Sequence, residues 1–136
     1  MQFVQNNIWL IMIAVVSGAL LVWPWISRFA FGGAEVGASA AVQLINRKDA
    51  LVIDVREPAE FQAGHIPEAR NIPAGRLKER LAELDKHKAR TIIVNCQTGS
   101  RSAGACALLR KQGFAAVFNL AGGIAAWQQA GLPLQK

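Results

Sequence analysis

From Ile8 to Ile26 the chain runs for nineteen residues without a formal charge, with Ser17 and Gly18 as its only mild polar or flexible interruptions. As an α-helix this run is about 28 Å long, the thickness of a bilayer's hydrocarbon core. It predicts a single transmembrane helix. Trp23 and Trp25 stand near its far end, where interfacial aromatics belong, Pro24 disturbs the last turn, and Arg28 follows directly. A cleaved signal peptide is the rival, because Ala38-Ser39-Ala40 has small residues in the spacing of a cleavage site. Against it, no Lys or Arg precedes the run, the run is long for a signal, and Ala40 lies far beyond its end. Arg28, Arg47 and Lys48, set against an uncharged N-terminal tail, place the C-terminal part in the cytoplasm, with a bacterial inner membrane as the expected location.

The run also divides the chain. Residues 1–29 form a tail and the span, 30–33 a short Gly-containing linker, and 34–136 one modest domain that holds every charge but Arg28. Within the domain the acids stop at Asp85, while Lys86, Lys88, Arg90, Arg101, Arg110, Lys111 and Lys136 continue. Such a field attracts small anions, lipid headgroups or acidic partners. The cations are scattered singly with no aromatic platform, so nucleic acid is not expected. Cys96 and Cys106 are too few for a disulfide scaffold and are not spaced as metal ligands. With a helix between them their Cα atoms lie roughly 15 Å apart, too far to bridge.

Short unbroken apolar runs alternate with helical patterns. Strands are expected at Ala34–Val36, Leu51–Val55, Thr91–Asn95 and Ala116–Leu120. Helices are expected from a Ser39 cap to Asn46, over Arg76–Leu84 on the spacing of Leu77, Leu81 and Leu84, over Ser102–Gln112, and after Gly122-Gly123 around Trp127. Buried strands alternating with helices predict an α/β fold with a parallel sheet covered on both faces. Ligands of such sheets sit beyond the carboxyl ends of the strands, and that is where Cys96 falls.

The segment Asn95-Cys96-Gln97-Thr98-Gly99-Ser100-Arg101-Ser102 joins a strand to a helix. A mid-loop glycine lets successive amide N–H groups turn inward as a nest, and the helix N-terminus adds positive potential there. Cys96 is therefore read as an exposed, reactive thiolate, with Arg101 adding to the anion cradle. The loop has no His, Asp or Glu, which suits a thiolate that acts as nucleophile and leaving group without a partner base. Cys106, among Ala103, Gly104, Ala105 and Ala107, reads as core packing, His65 as a hydrogen-bonded turn residue, His87 as a solvated loop residue and Trp127 as a core plug.

Leu51-Val-Ile-Asp-Val-Arg-Glu-Pro58, Glu60-Phe61, Gly64-His65-Ile66-Pro67, Ala69–Pro73, the Cys96–Arg101 loop, Asn119-Leu-Ala-Gly-Gly, Trp127 and Gly131-Leu132-Pro133 together resemble the single-domain rhodaneses, a sulfurtransferase family. The resemblance covers about Ala34 to Leu134 and implies a rhodanese-like three-layer fold with a central parallel sheet, preceded here by the transmembrane helix. It implies that Cys96 takes up sulfane sulfur as a persulfide from thiosulfate or a protein persulfide and passes it to an acceptor, which the sequence does not name. The amides of Gln97, Thr98, Gly99, Ser100 and Arg101 would hold the anionic sulfur, with Asp54 and Arg56 bracing the sheet beside the loop and no cofactor or metal required. A non-catalytic sulfur-delivery module at the membrane is the alternative. Cys-dependent phosphatases and arsenate reductases are a further one, although their loop carries five residues between Cys and Arg where this chain has four.

Overall fold

The computed structural model describes residues 1–27 and 34–136. Arg28 and the expected 30–33 linker lie outside the described residues. The chain divides into two compact units, Met1–Ala30 and Phe31–Lys136.

In the first unit a short helix, α1 (Gln2–Asn6), precedes α2 (Ile8–Ser27). Within α2, Ile8–Ile26 has a mean hydropathy of 2.1, and none of it is buried inside the structure. It is long and apolar enough to cross a membrane. The helix runs through Pro24 to Ser27 rather than ending there.

The second unit follows the order β1 (Ala34–Val36), α3 (Ala38–Lys48), β2 (Leu51–Asp54), α4 (Pro58–Ala63), β3 (Arg70–Asn71), β4 (Thr91–Asn95), α5 (Ser100–Lys111), β5 (Ala116–Leu120) and α6 (Gly123–Gln129). The five strands form one sheet in the order β1-β5-β4-β2-β3, and every pairing is parallel. This is the predicted α/β fold. Because side chains alternate across a strand, Ile92, Val94 and Cys96 pack on one face with Ala105, Cys106 and Leu109 of α5, while Ile93 packs on the other with Ala41 of α3 and Ile124 and Trp127 of α6. The same alternation that builds β4 delivers Cys96 to the α5 side of the sheet.

Several local expectations are corrected. Arg76–Leu84 is not one amphipathic helix: two 3₁₀ turns, Ala74–Arg76 and Leu81–His87, flank a turn. Leu77 and Leu84 are buried all the same, because the tighter winding also returns a side chain to one face about every third residue. Helix α3 begins at Ala38 with Gly37 as its cap, so Ser39 lies inside the first turn and caps nothing. Helix α5 starts two residues early, at Ser100. Helix α4 and the two-residue strand β3 were not foreseen, being too short for periodicity to register. His87 is half-buried, with Nε2 shielded and without a partner, rather than solvated. Burial, with Arg90, Arg70 and Lys86 nearby, lowers its pKa.

Candidate active site

Strand β4 ends at Asn95 and the chain turns at once into α5, so the loop between them is built from only four residues. Gly99 takes φ 103°, a left-handed conformation that costs glycine little and other residues much. That turn aims the Gly99 N–H back at Cys96 Sγ, 3.0 Å away. From the first turn of α5, the Ser102 hydroxyl comes within 3.3 Å of the same sulfur.

A second contact holds the loop from outside. The Ile124 N–H at the start of α6 donates to Cys96 O at 2.9 Å, and the Ala125 N–H to Gln97 O at 3.2 Å. With the carbonyls of Cys96 and Gln97 drawn outward, the Gly99 N–H is left facing the sulfur. This close approach requires Gly123, where a Cβ would lie 2.3 Å from Cys96 O and 2.7 Å from the carbonyl of Gln97.

Cys96 is buried, with a relative exposure of 0%, which corrects the expectation of an exposed thiol. Burial is the largest single influence on its ionisation and pushes its pKa up. The Ser102 hydroxyl and the amides of Ser102, Gly99 and Thr98 together outweigh burial, so the net effect lowers it. Water is shut out while the anion stays favoured. Cys106, buried in the same core, has burial without the donors, and its thiol is pushed up to about 12. Its inert, packed character agrees with the sequence reading.

The other predicted residues are placed as follows. Gln97, Thr98 and Ser100 are exposed around the loop. Asp54 and Arg56 form a buried pair: Arg56 Nη2 and Nε donate to Asp54 Oδ2 at 2.8 and 3.1 Å, and Nη2 also reaches Gly64 O at 2.7 Å. Arg56 Nη1 extends to Gln97 Oε1 at 3.4 Å, so the pair touches the loop. Arg101 is held elsewhere than expected. Its Nη1 and Nη2 donate to Glu60 Oε2 and Oε1 of α4 at 3.0 and 3.1 Å. His65 is the turn residue foreseen, with Nδ1 2.9 Å from Phe61 O and its ring stacked on Phe61 at 3.7 Å. Trp127 is buried, its Nε1–H donating to Pro133 O at 2.9 Å.

Three contributors escaped the sequence reading: Ser102, Glu60 and Asn119. Asn119 Oδ1 accepts from the Ser102 hydroxyl at 2.5 Å, and its Nδ2 donates to Gly99 O at 3.1 Å, tying β5 to the loop. A serine three residues beyond a left-handed glycine is the one local signal that pointed to Ser102. Glu60 and Asn119 lie far away in sequence.

The Rhodanese-like domain family matches residues 38–130. The chain belongs to that family. The rhodanese-like domain is 41% identical over 96 residues to a sulfurtransferase of Allochromatium vinosum, covering 71% of this chain and 88% of that protein. It is 32% identical over 96 residues to the thiosulfate sulfurtransferase GlpE of Pseudoalteromonas translucida, covering 71% and 90%. A crystal structure of a rhodanese-related protein from Thermoplasma volcanium superposes with a TM-score of 0.68 at 31% identity, covering 75% of this chain and 97% of that one. Some other curated relatives are longer, the chain spanning 55% of one and 62% of another.

Proposed function

We propose that this chain is a membrane-anchored sulfurtransferase in which Cys96 carries sulfane sulfur as a persulfide. The observation that carries the reading is a buried thiol whose ionisation is nonetheless favoured, by the Gly99 N–H at 3.0 Å and the Ser102 hydroxyl at 3.3 Å. In the first step the Cys96 thiolate attacks the sulfane sulfur of the donor. A new S–S bond forms at Cys96, the donor's S–S bond breaks, and the electron pair leaves on sulfite or on a thiolate. In the second step an acceptor nucleophile takes the outer sulfur and the Cys96 thiolate departs. Neither step moves a proton, which fits a loop whose donors are amides and one hydroxyl. The loop amides from Gln97 to Arg101 are its anion cradle, and the Asp54–Arg56 pair braces Gln97. Phosphoryl transfer is disfavoured: the loop holds four residues between Cys96 and Arg101, and that arginine is bound to Glu60.

For the anchor, the apolar length of α2 supports a span, and the place of β1 opposes a signal peptide. Cleavage after Ala40 would remove β1, whose Ala34, Glu35 and Val36 pair with Phe118, Asn119 and Leu120. Arg47 and Lys48 support a cytoplasmic domain.

Intact mass of the full chain in detergent, after incubation with thiosulfate or with a small persulfide, tests the chemistry. The expected result is the gain of one sulfur atom, lost in Cys96→Ser. Loading by neither donor, or loading that survives Cys96→Ser, would overturn it. Carbonate extraction tests the anchor, and protection of the domain's lysines from an impermeant amine reagent on spheroplasts tests its orientation.

A further inference from the structure

The rim of the loop is built from opposed charges, and their pairing bears on which donor the site accepts. Arg101 is the cation expected to receive an incoming anion, yet both of its terminal nitrogens are used in a two-bond fork to Glu60. Glu60 is fixed in turn, because its Oε2 also accepts the Glu57 N–H at 2.9 Å at the start of α4. Hydrogen bonds from Arg101 and then from that N–H hold the Glu60 carboxyl below its ordinary range, so it is an anion throughout the neutral region. The two side chains are 40% and 39% exposed, which puts the pair at the mouth rather than in the core.

Arg56, the other guanidinium that touches the loop, is committed to buried Asp54. Both arginines beside the loop are thus neutralised by a carboxylate of their own. Glu57, exposed at the start of α4, also lies within electrostatic reach of Arg101, as does the Cys96 thiolate. The amides of Thr98, Gly99 and Ser102 already favour the Cys96 thiolate. A second negative charge on a donor is therefore received by Arg101 only if that guanidinium leaves Glu60.

We infer that the Glu60–Arg101 pair makes this site select a donor of low charge, a cysteine persulfide, over the dianion thiosulfate. The inference rests on the sulfurtransferase reading above. Both donors give the same product: the Cys96 thiolate bonds to the sulfane sulfur, and the donor's S–S bond breaks with its electron pair on a thiolate in one case and on sulfite in the other. They differ in what waits at the mouth. Thiosulfate brings a second negative charge, its sulfonate, beside Glu60 and Glu57, and to be received there it must draw Arg101 away from Glu60. A persulfide carries one negative charge on the sulfur being transferred and an uncharged carbon chain behind it. Glu60 is a positioning residue that acts through Arg101.

The test measures second-order loading of Cys96 in the full chain, in detergent at low ionic strength, by intact mass with the persulfide of N-acetylcysteinamide, whose carbon chain is uncharged, and with thiosulfate. The persulfide is expected to load at least about tenfold faster. Glu60→Gln keeps an acceptor for the Glu57 N–H and releases Arg101. It is expected to raise thiosulfate loading two- to fivefold, the range an exposed ion pair accounts for, by lowering KM at constant kcat. The ratio of thiosulfate to persulfide rates rises with it. Equal loading of wild type by the two donors would overturn the inference and leave the sulfurtransferase reading standing. So would a Glu60→Gln effect that is the same for both donors. Loading by neither donor would overturn both.

Discussion

Replacing Ser102 with alanine is expected to slow alkylation of Cys96 about fivefold at pH values below the thiol's inflection. The Ser102 hydroxyl has one proton and three acceptors in reach: Asn119 Oδ1 at 2.5 Å, Gly99 O at 3.1 Å and Cys96 Sγ at 3.3 Å. While Cys96 is a thiol, the nearest acceptor, Asn119, takes that proton. Ionisation turns the hydroxyl toward the sulfur and exchanges a neutral hydrogen bond for one to a charged acceptor. With about 1 kcal/mol for the first and about 2 kcal/mol for the second, the exchange favours the thiolate by about 1 kcal/mol. That is roughly a fivefold change in ionisation constant. The amides of Gly99, Thr98 and Ser102 remain in the variant, so the loss is partial.

The assay is the pH dependence of iodoacetamide alkylation followed by intact mass, in a Cys106→Ala background so that one thiol is counted. The inflection should move to higher pH while the plateau rate stays the same. Stability should move with it. A folded thiol that ionises below the ordinary value of 9.0 contributes stability that is fully present above that value and is lost as pH falls through the folded pKa. Ser102→Ala should shrink that contribution. An unchanged profile, or an inflection shifted to lower pH, would show that the hydroxyl does not serve the thiolate.

Other expectations follow from the packing. Gly123→Ala forces a methyl against the carbonyls of Cys96 and Gln97 at a φ of +60°, and should cost about 2–3 kcal/mol in urea unfolding while returning Cys96 alkylation toward that of an ordinary thiol. Asp54→Asn leaves the Arg56 guanidinium buried without its carboxylate and should destabilise the domain by about 3–5 kcal/mol in the same measurement; a loss under about 1 kcal/mol would mean that the pair is dispensable. Cys106→Ala should leave sulfur loading intact, since a thiol pushed up to about 12 is protonated at neutral pH; loss of loading in a variant that still folds would reinstate it as a second sulfur site.

Local regularities carried most of the fold in the sequence. The apolar run of α2, the short, mainly apolar strands β2, β4 and β5, and the strand-loop-helix around Cys96 all follow from patterns a few residues long. They were legible because periodicity and turn chemistry act between near neighbours in the chain. The leucines at 77, 81 and 84 show where this fails, since their spacing satisfies an α-helix and a pair of 3₁₀ turns almost equally.

The sequence by itself determined the place of Cys96, the need for glycine at 99 and the absence of acid or base within the loop. Only the tertiary structure decided that the thiol is buried, that Asn119 of β5 and Ser102 share a proton beside it, and that Gly123 admits the helix which turns the loop's carbonyls outward. It also decided the fate of Arg101. Its partner, Glu60, is forty-one residues away on another helix. The reason is physical: an ion pair or a close backbone approach depends on where the sheet brings two distant segments, and no spacing along the chain encodes that distance.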